Sequence, residues 1–108
     1  MSTMQNSGGA RYASFREFYP FYLSEHQSRT SRRLHVCGTL LALVLAATAL
    51  ISGRLALFWA VPVAGYAFAW VGHYFFENNT PATFTYPLYS LGGDFRMLYE
   101  VLTGRIRW

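Results

Sequence analysis

Two apolar runs dominate the chain. The first, residues 34–53, is bracketed by Arg33 and Arg54 and carries only His35 and Cys37 as ionisable side chains. The second, residues 55–76, is closed by Glu77, and its titratable groups are His73 and the phenols of Tyr66 and Tyr74. A helix crosses a bilayer core with about 20 apolar residues, so the spacing predicts spans over 34–51 and 55–76. Only Ser52, Gly53 and Arg54 separate the runs, which makes a tight antiparallel hairpin. Gly38, Ala42, Ala46 and Ala49 on the first helix, and Gly65, Ala69 and Gly72 on the second, form ridges of small side chains that let helices approach closely in lipid.

The flanks have a different pattern. Residues 1–13 are small and polar and read as a disordered tail. Over 14–30, Phe15, Phe18, Tyr19, Tyr22 and His26 recur at helical spacing, with Ser14 and Glu17 at the separation of a capping box. This predicts an amphipathic interfacial helix, bent at Pro20. Residues 77–93, with Pro81 and Pro87, read as a loop. Residues 94–104 read as a second interfacial helix, started by Asp94, stopped by Gly104, and apolar along Phe95, Leu98, Tyr99 and Leu102. The closing residues, Arg105 to Trp108, suit an interfacial anchor. The expected architecture is an all-α membrane protein: one membrane domain over 14–108, built on a two-span hairpin with flanking interfacial helices.

Composition supports a lipid setting. Apolar residues make up 53% of the chain and charged residues only 13%, too few polar groups for an ordinary soluble domain. The positive charge is carried by nine arginines and no lysine, against five acids. The arginines flank the apolar runs instead of lining a polar face, so the expected partner is a lipid bilayer and not nucleic acid. Arg29, Arg32 and Arg33 precede the hairpin and Arg96, Arg105 and Arg107 follow it, while Arg54 stands alone at the turn. The positive-inside rule then places both termini in the cytoplasm of a multi-pass membrane protein, with a bacterial inner membrane expected. Cys37 is the single cysteine, so no disulfide forms within the chain, and its apolar surroundings suggest packing.

The hairpin brings the histidines together. With the turn near Gly53, His35 and His73 lie at the same level to within about 3 Å at the rise of an α-helix. The segment bearing His26 reaches the same edge. Glu77 follows His73 by one helical turn, and Tyr66, Trp70, His73 and Glu77 make one stripe expected to face inward. Ionisable groups at membrane depth are costly unless they are paired or bind a metal, and imidazoles with a carboxylate suit iron or zinc. Two other readings remain open at this point: a non-catalytic lipid-binding or scaffold protein with a hydrogen-bonded histidine network, and a haem-carrying hairpin. Three histidines are too few for the membrane di-iron desaturases, and no GxSxG elbow or nucleotide-binding glycine loop is present.

The segments "FYPFYLSEH", "RRLHVCGT", "GYAFAWVGHYFFENNTPATFTYPLYSL" and "GDF" are similar to a known family over about residues 14–104. The chain resembles a short, bacterial-type member of the 2-hydroxy fatty acid dioxygenase family, which includes the fungal protein that metabolises phytosphingosine to odd-numbered fatty acids. The resemblance implies an Fe(II)-dependent dioxygenase that uses O2, without 2-oxoglutarate, to shorten a 2-hydroxy fatty acid by one carbon released as CO2. It assigns His26, His35 and His73 as iron ligands. Beside it, the residues suggest that Glu77 orients a ligand or moves a proton, that Arg32 or Arg33 holds the substrate carboxylate, and that the acyl tail passes Tyr66 and Trp70. The chain lacks spans that the fungal relatives carry between their histidine motifs, which leaves the acyl substrate open and suggests a homo-oligomer.

Overall fold

A computed structural model describes residues 12–108. The expected tail at residues 1–13 therefore lies, up to residue 11, outside the described residues. Four α-helices run through the rest: α1, Phe15–Ser24; α2, Arg29–Ser52; α3, Ala60–Val71; and α4, Pro87–Leu102. A 3-10 segment, Leu55–Trp59, leads into α3, a π-helical turn, Gly72–Glu77, extends it, and a 3-10 turn, Ala82–Phe84, precedes α4. No strand occurs among the described residues.

The helix ends follow local chemistry. The Ser14 hydroxyl accepts from the Glu17 amide at 3.2 Å while Glu17 accepts from the amide of Ala13 at 3.3 Å. This is capping-box logic, with the acid reaching one residue further back. Ser28 caps α2 by accepting from the amide of Ser31. Gly53, with φ 72°, closes α2 in the left-handed region that a residue with a Cβ resists, and it turns the chain into the second apolar helix. Gly104, with φ 80°, ends α4 in the same way, as expected.

The molecule is elongated, 49 by 28 by 25 Å, because the hairpin of α2 and α3 projects from a helical cap. Both arms, Arg29–Ser52 and Leu55–Glu77, are long and apolar enough to cross a membrane. Little of the second is covered by protein: in its most apolar stretch only 6% of residues are buried, and Trp59 is 81% and Phe75 74% exposed. Where the arms meet, Gly38 faces Phe68 so closely that an added Cβ would come within 2.8 Å of the Phe68 Cβ. The small ridge thus sets the approach of the two helices at this level.

The cap is aromatic. Phe18 and Tyr22 of α1, Val36 of α2, Ala82, and Met97 and Leu98 of α4 form its buried core. Two tyrosine–carboxylate hydrogen bonds fasten α1 to α4: Tyr19 donates to Glu100 and Tyr22 to Asp94, each at 2.5 Å. Arg96 completes the first by pairing with Glu100 at 3.2 Å. The ring of Tyr22 lies against Gly93, where a Cβ would approach ring carbons to 2.7 Å.

Three expectations change here. The helix α1 ends at Ser24, short of residue 30, and its buried face, Phe18 and Tyr22, is covered by α4. The helix α4 begins at Pro87, seven residues before Asp94, because proline at the first helical turn has no amide to satisfy. Its buried side is Ser90, Gly93, Met97, Leu98 and Glu100, whereas Phe95, Tyr99 and Leu102 are exposed.

Candidate metal centre

The three histidines meet where the cap joins the hairpin. His26 comes from the α1–α2 connection, His35 from the second turn of α2, and His73 from the π-helical turn. Each is at least 96% buried. Their ring centroids are 4.2, 4.7 and 4.9 Å apart, and one nitrogen from each lies within 4.8 Å of the other two.

Outer hydrogen bonds fix which nitrogen two of the rings offer. His26 Nδ1 is 2.6 Å from the carbonyl oxygen of Tyr22, an acceptor only, so Nδ1 carries the proton and Nε2 the lone pair. His73 Nδ1 is 2.6 Å from Asn79 Oδ1 and is held likewise. His26 Nε2 faces His35 Nε2 at 3.0 Å, and the buried Nδ1 of His35 has no partner. Burial pushes His26 down to about 3, against the pull of the Tyr22 carbonyl and with the help of His73 and Arg32, so this ring is neutral at ordinary pH. Three buried imidazoles that each bring one nitrogen within 4.8 Å of the other two form a donor set suited to a first-row divalent ion. Rings this close leave no slot for a macrocycle between them.

The remaining residues hold this cluster together. Both oxygens of Glu77 are engaged: Oε1 accepts from the amide of Gln27 at 3.2 Å and Oε2 from that of Ser28 at 2.8 Å. Glu77 therefore ties the end of the second arm to the backbone just after His26. Arg32 grips the same connection from α2, donating from Nη1 to the carbonyls of His26 and Gln27 at 3.1 and 2.9 Å. Asn79, besides receiving His73, donates to the carbonyl of Glu25 at 3.2 Å. Arg33 points elsewhere, donating to the Trp108 carbonyl and stacking on its ring.

Tyr66 and Trp70 are not part of the cluster. They are 45% and 39% exposed and pack on each other, with Trp70 also against Phe84. Tyr66 lines the cavity between α2, α3 and α4, so the expected single inward stripe divides between that cavity and the histidine cluster. Asn79 and Tyr22 are the contributors that sequence reasoning missed. Asn79 follows Glu77 by two residues. Its available signal was its position just past a helix end, where a short amide can reach a neighbouring segment.

Tyr22 links the cluster to α4. Its ring stacks on His26 with centroids 4.2 Å apart, and its hydroxyl donates to Asp94. Burial pushes Asp94 up to about 6, although the Tyr22 hydrogen bond works in the other direction.

A family model described as 2-hydroxy-palmitic acid dioxygenase Mpo1-like matches residues 12–106. No curated protein and no solved structure matches the chain.

Proposed function

The chain belongs to the Mpo1-like family, and from that premise we propose that it is an Fe(II)-dependent dioxygenase acting on 2-hydroxy fatty acids. The observation that carries the reading is the group of three buried imidazoles, from three separate segments, with nitrogens within 4.8 Å of one another. His26, His35 and His73 would hold the ion, and Fe(II) bound there would supply the redox chemistry that O2 requires. The reaction balances without an outside reductant: a 2-hydroxy acid and O2 give the acid one carbon shorter, CO2 and water, and the substrate provides all the electrons.

The protein's own part is positioning. The Tyr22 carbonyl and Asn79 keep two rings in the tautomer that offers Nε2. Glu77 and Arg32 anchor the connection that carries His26, one through its amides and one through its carbonyls. Glu77 is thus a positioning residue in this reading. Arg32 holds those carbonyls through Nη1 alone and keeps a buried Nε without a partner, a donor free for a substrate carboxylate, whereas Arg33 has its Nε on the Trp108 carbonyl.

The exposed apolar arms support insertion into a bilayer, with the cap and both termini on the cytoplasmic side, where the arginines gather. The histidine cluster then lies at the membrane edge, within reach of an amphiphile whose tail remains among lipids. The test is iron analysis of anaerobically purified protein, followed by incubation with 2-hydroxypalmitate and O2. Stoichiometric iron and release of pentadecanoate are expected; absence of both overturns the reading. Reporter fusions at each terminus check the orientation, and an extracytoplasmic signal at either end rejects the two-span arrangement.

A further inference from the structure

Beyond the histidine cluster the two arms and α4 line a half-open cavity of about 300 Å³. Thr39, Ala42 and Ala46 of α2, Gly65 of α3, and Leu91 and Phe95 of α4 contribute to its walls. On α2 it begins one turn past His35, whose carbonyl accepts from the Thr39 hydroxyl at 2.9 Å. Ala42 and Ala46 continue that face at helical spacing. From Thr39 to Ala46 the cavity runs roughly 10 Å along the hairpin, at the rise of an α-helix.

The two ends differ in chemistry. Asp94, which also lines the cavity, is tied through Tyr22 to His26, so the acid and Thr39 place polar groups toward the histidines. Away from them the walls are alkyl and aromatic. The volume is at the low end for ligand pockets, which run from about 300 to 1,000 Å³; that suits one unbranched chain better than a ring system or a pair of chains. Gly65 is what keeps the middle open: a Cβ added there meets nothing within 4 Å, whereas at Gly38, in the neighbouring helix contact, it would collide.

We infer that this cavity seats the acyl chain of the 2-hydroxy acid and that Gly65, with Ala46 deeper along the same space, sets the chain length the protein accepts. The inference rests on the proposed 2-hydroxy acid substrate, with its head group at the histidines. It assigns specificity to residues that touch neither the metal ligands nor their hydrogen-bond partners.

The experiment is displacement of a fluorescent fatty acid from the detergent-solubilised full chain by 2-hydroxyoctanoate or 2-hydroxypalmitate, with metal content measured on each preparation. In Gly65→Leu a side chain enters the cavity. The long acid should lose at least about tenfold in affinity, the equivalent of about two methylenes left unburied, and the short acid should bind as in the wild type. Ala46→Leu, on the facing helix, should show the same selective loss and decides the matter if Gly65→Leu loses metal and so has not folded. Unchanged binding of the long acid in a metal-retaining variant overturns the inference, as does equal loss for both acids or failure of the wild type to bind either. Selective loss without turnover of any hydroxy acid upholds the cavity while rejecting the proposed reaction.

Discussion

His26 Nε2 lies 3.0 Å from His35 Nε2. Because the Tyr22 carbonyl fixes the proton of His26 on Nδ1, this contact has two forms. Either His35 donates across it from Nε2, or both nitrogens turn lone pairs toward a shared cation. A divalent ion replaces the proton bridge and uses the same geometry.

Metal should therefore stabilise the folded chain. Adding Fe(II) anaerobically, or Zn(II), to chelator-treated protein is expected to raise the melting temperature, since an ion that binds only the folded state stabilises it by mass action. His35→Ala and His73→Ala should each abolish both the shift and turnover. Cys37→Ala should leave both intact, because Cys37 is exposed. A full shift in either histidine variant would remove that residue from the ligand set.

Glu77→Gln tests the anchor. An amide retains one acceptor oxygen and turns an NH2 group toward an amide donor, so one of the two contacts to Gln27 and Ser28 is lost. Metal affinity should fall about 10- to 100-fold, the usual range for residues that position ligands, and turnover should recover at saturating iron. Turnover abolished at full iron occupancy would instead make Glu77 a proton-transfer group.

Asn79→Ala leaves His73 Nδ1 without its acceptor and frees the carbonyl of Glu25. A loss of about 10- to 100-fold in metal affinity is expected. Asn79→Asp restores an acceptor for the ring and should regain much of it. Equal loss in both variants would point to the Glu25 contact as the important one.

Asp94 gives a pH signature. Its folded value near 6 exceeds the ordinary 3.8, so the folded protein holds this proton more tightly than the unfolded chain does. The resulting stabilisation is complete below the unfolded value and is lost as pH rises through about 6, an effect on the order of 3 kcal/mol. Asp94→Asn keeps an oxygen for Tyr22 and no charge. Its melting temperature should exceed that of the wild type at neutral pH, and the difference should vanish near pH ~4. Parallel curves across this range would show that Asp94 remains solvated.

Much of this arrangement was legible in the sequence because it depends on spacing. Arginines bracket the apolar runs, Gly53 marks the turn, and equal distances from that turn bring His35 and His73 level. The partners of Glu77 were not legible: they are backbone amides 50 and 49 residues away, and their position depends on how the α1–α2 connection folds. Pro81 and Pro87 suggested a loop, but proline is harmless at a helix start, and Gly93 within α4 is required by the close ring of Tyr22. Tyr66, expected to face inward, does line the cavity beside α2 and α4, whereas Trp70 packs on Tyr66 and Phe84 outside the histidine cluster.

The turn at Gly72–Glu77 makes the centre tolerant of a change in chain length at one place. A π-helical turn holds its hydrogen bonds across five residues instead of four and behaves as an α-helix lengthened by one residue. Removing a residue from the 74–76 stretch, whose side chains are all exposed, would leave His26, His35, His73, Glu77 and Asn79 chemically untouched. The extra residue is taken up inside the turn, so without it the helix runs on in its ordinary winding and still delivers Glu77 and Asn79 in nearly the same direction. The contacts of Glu77 and Asn79 should therefore survive a one-residue deletion here that would turn them aside by roughly 100° in a plain α-helix.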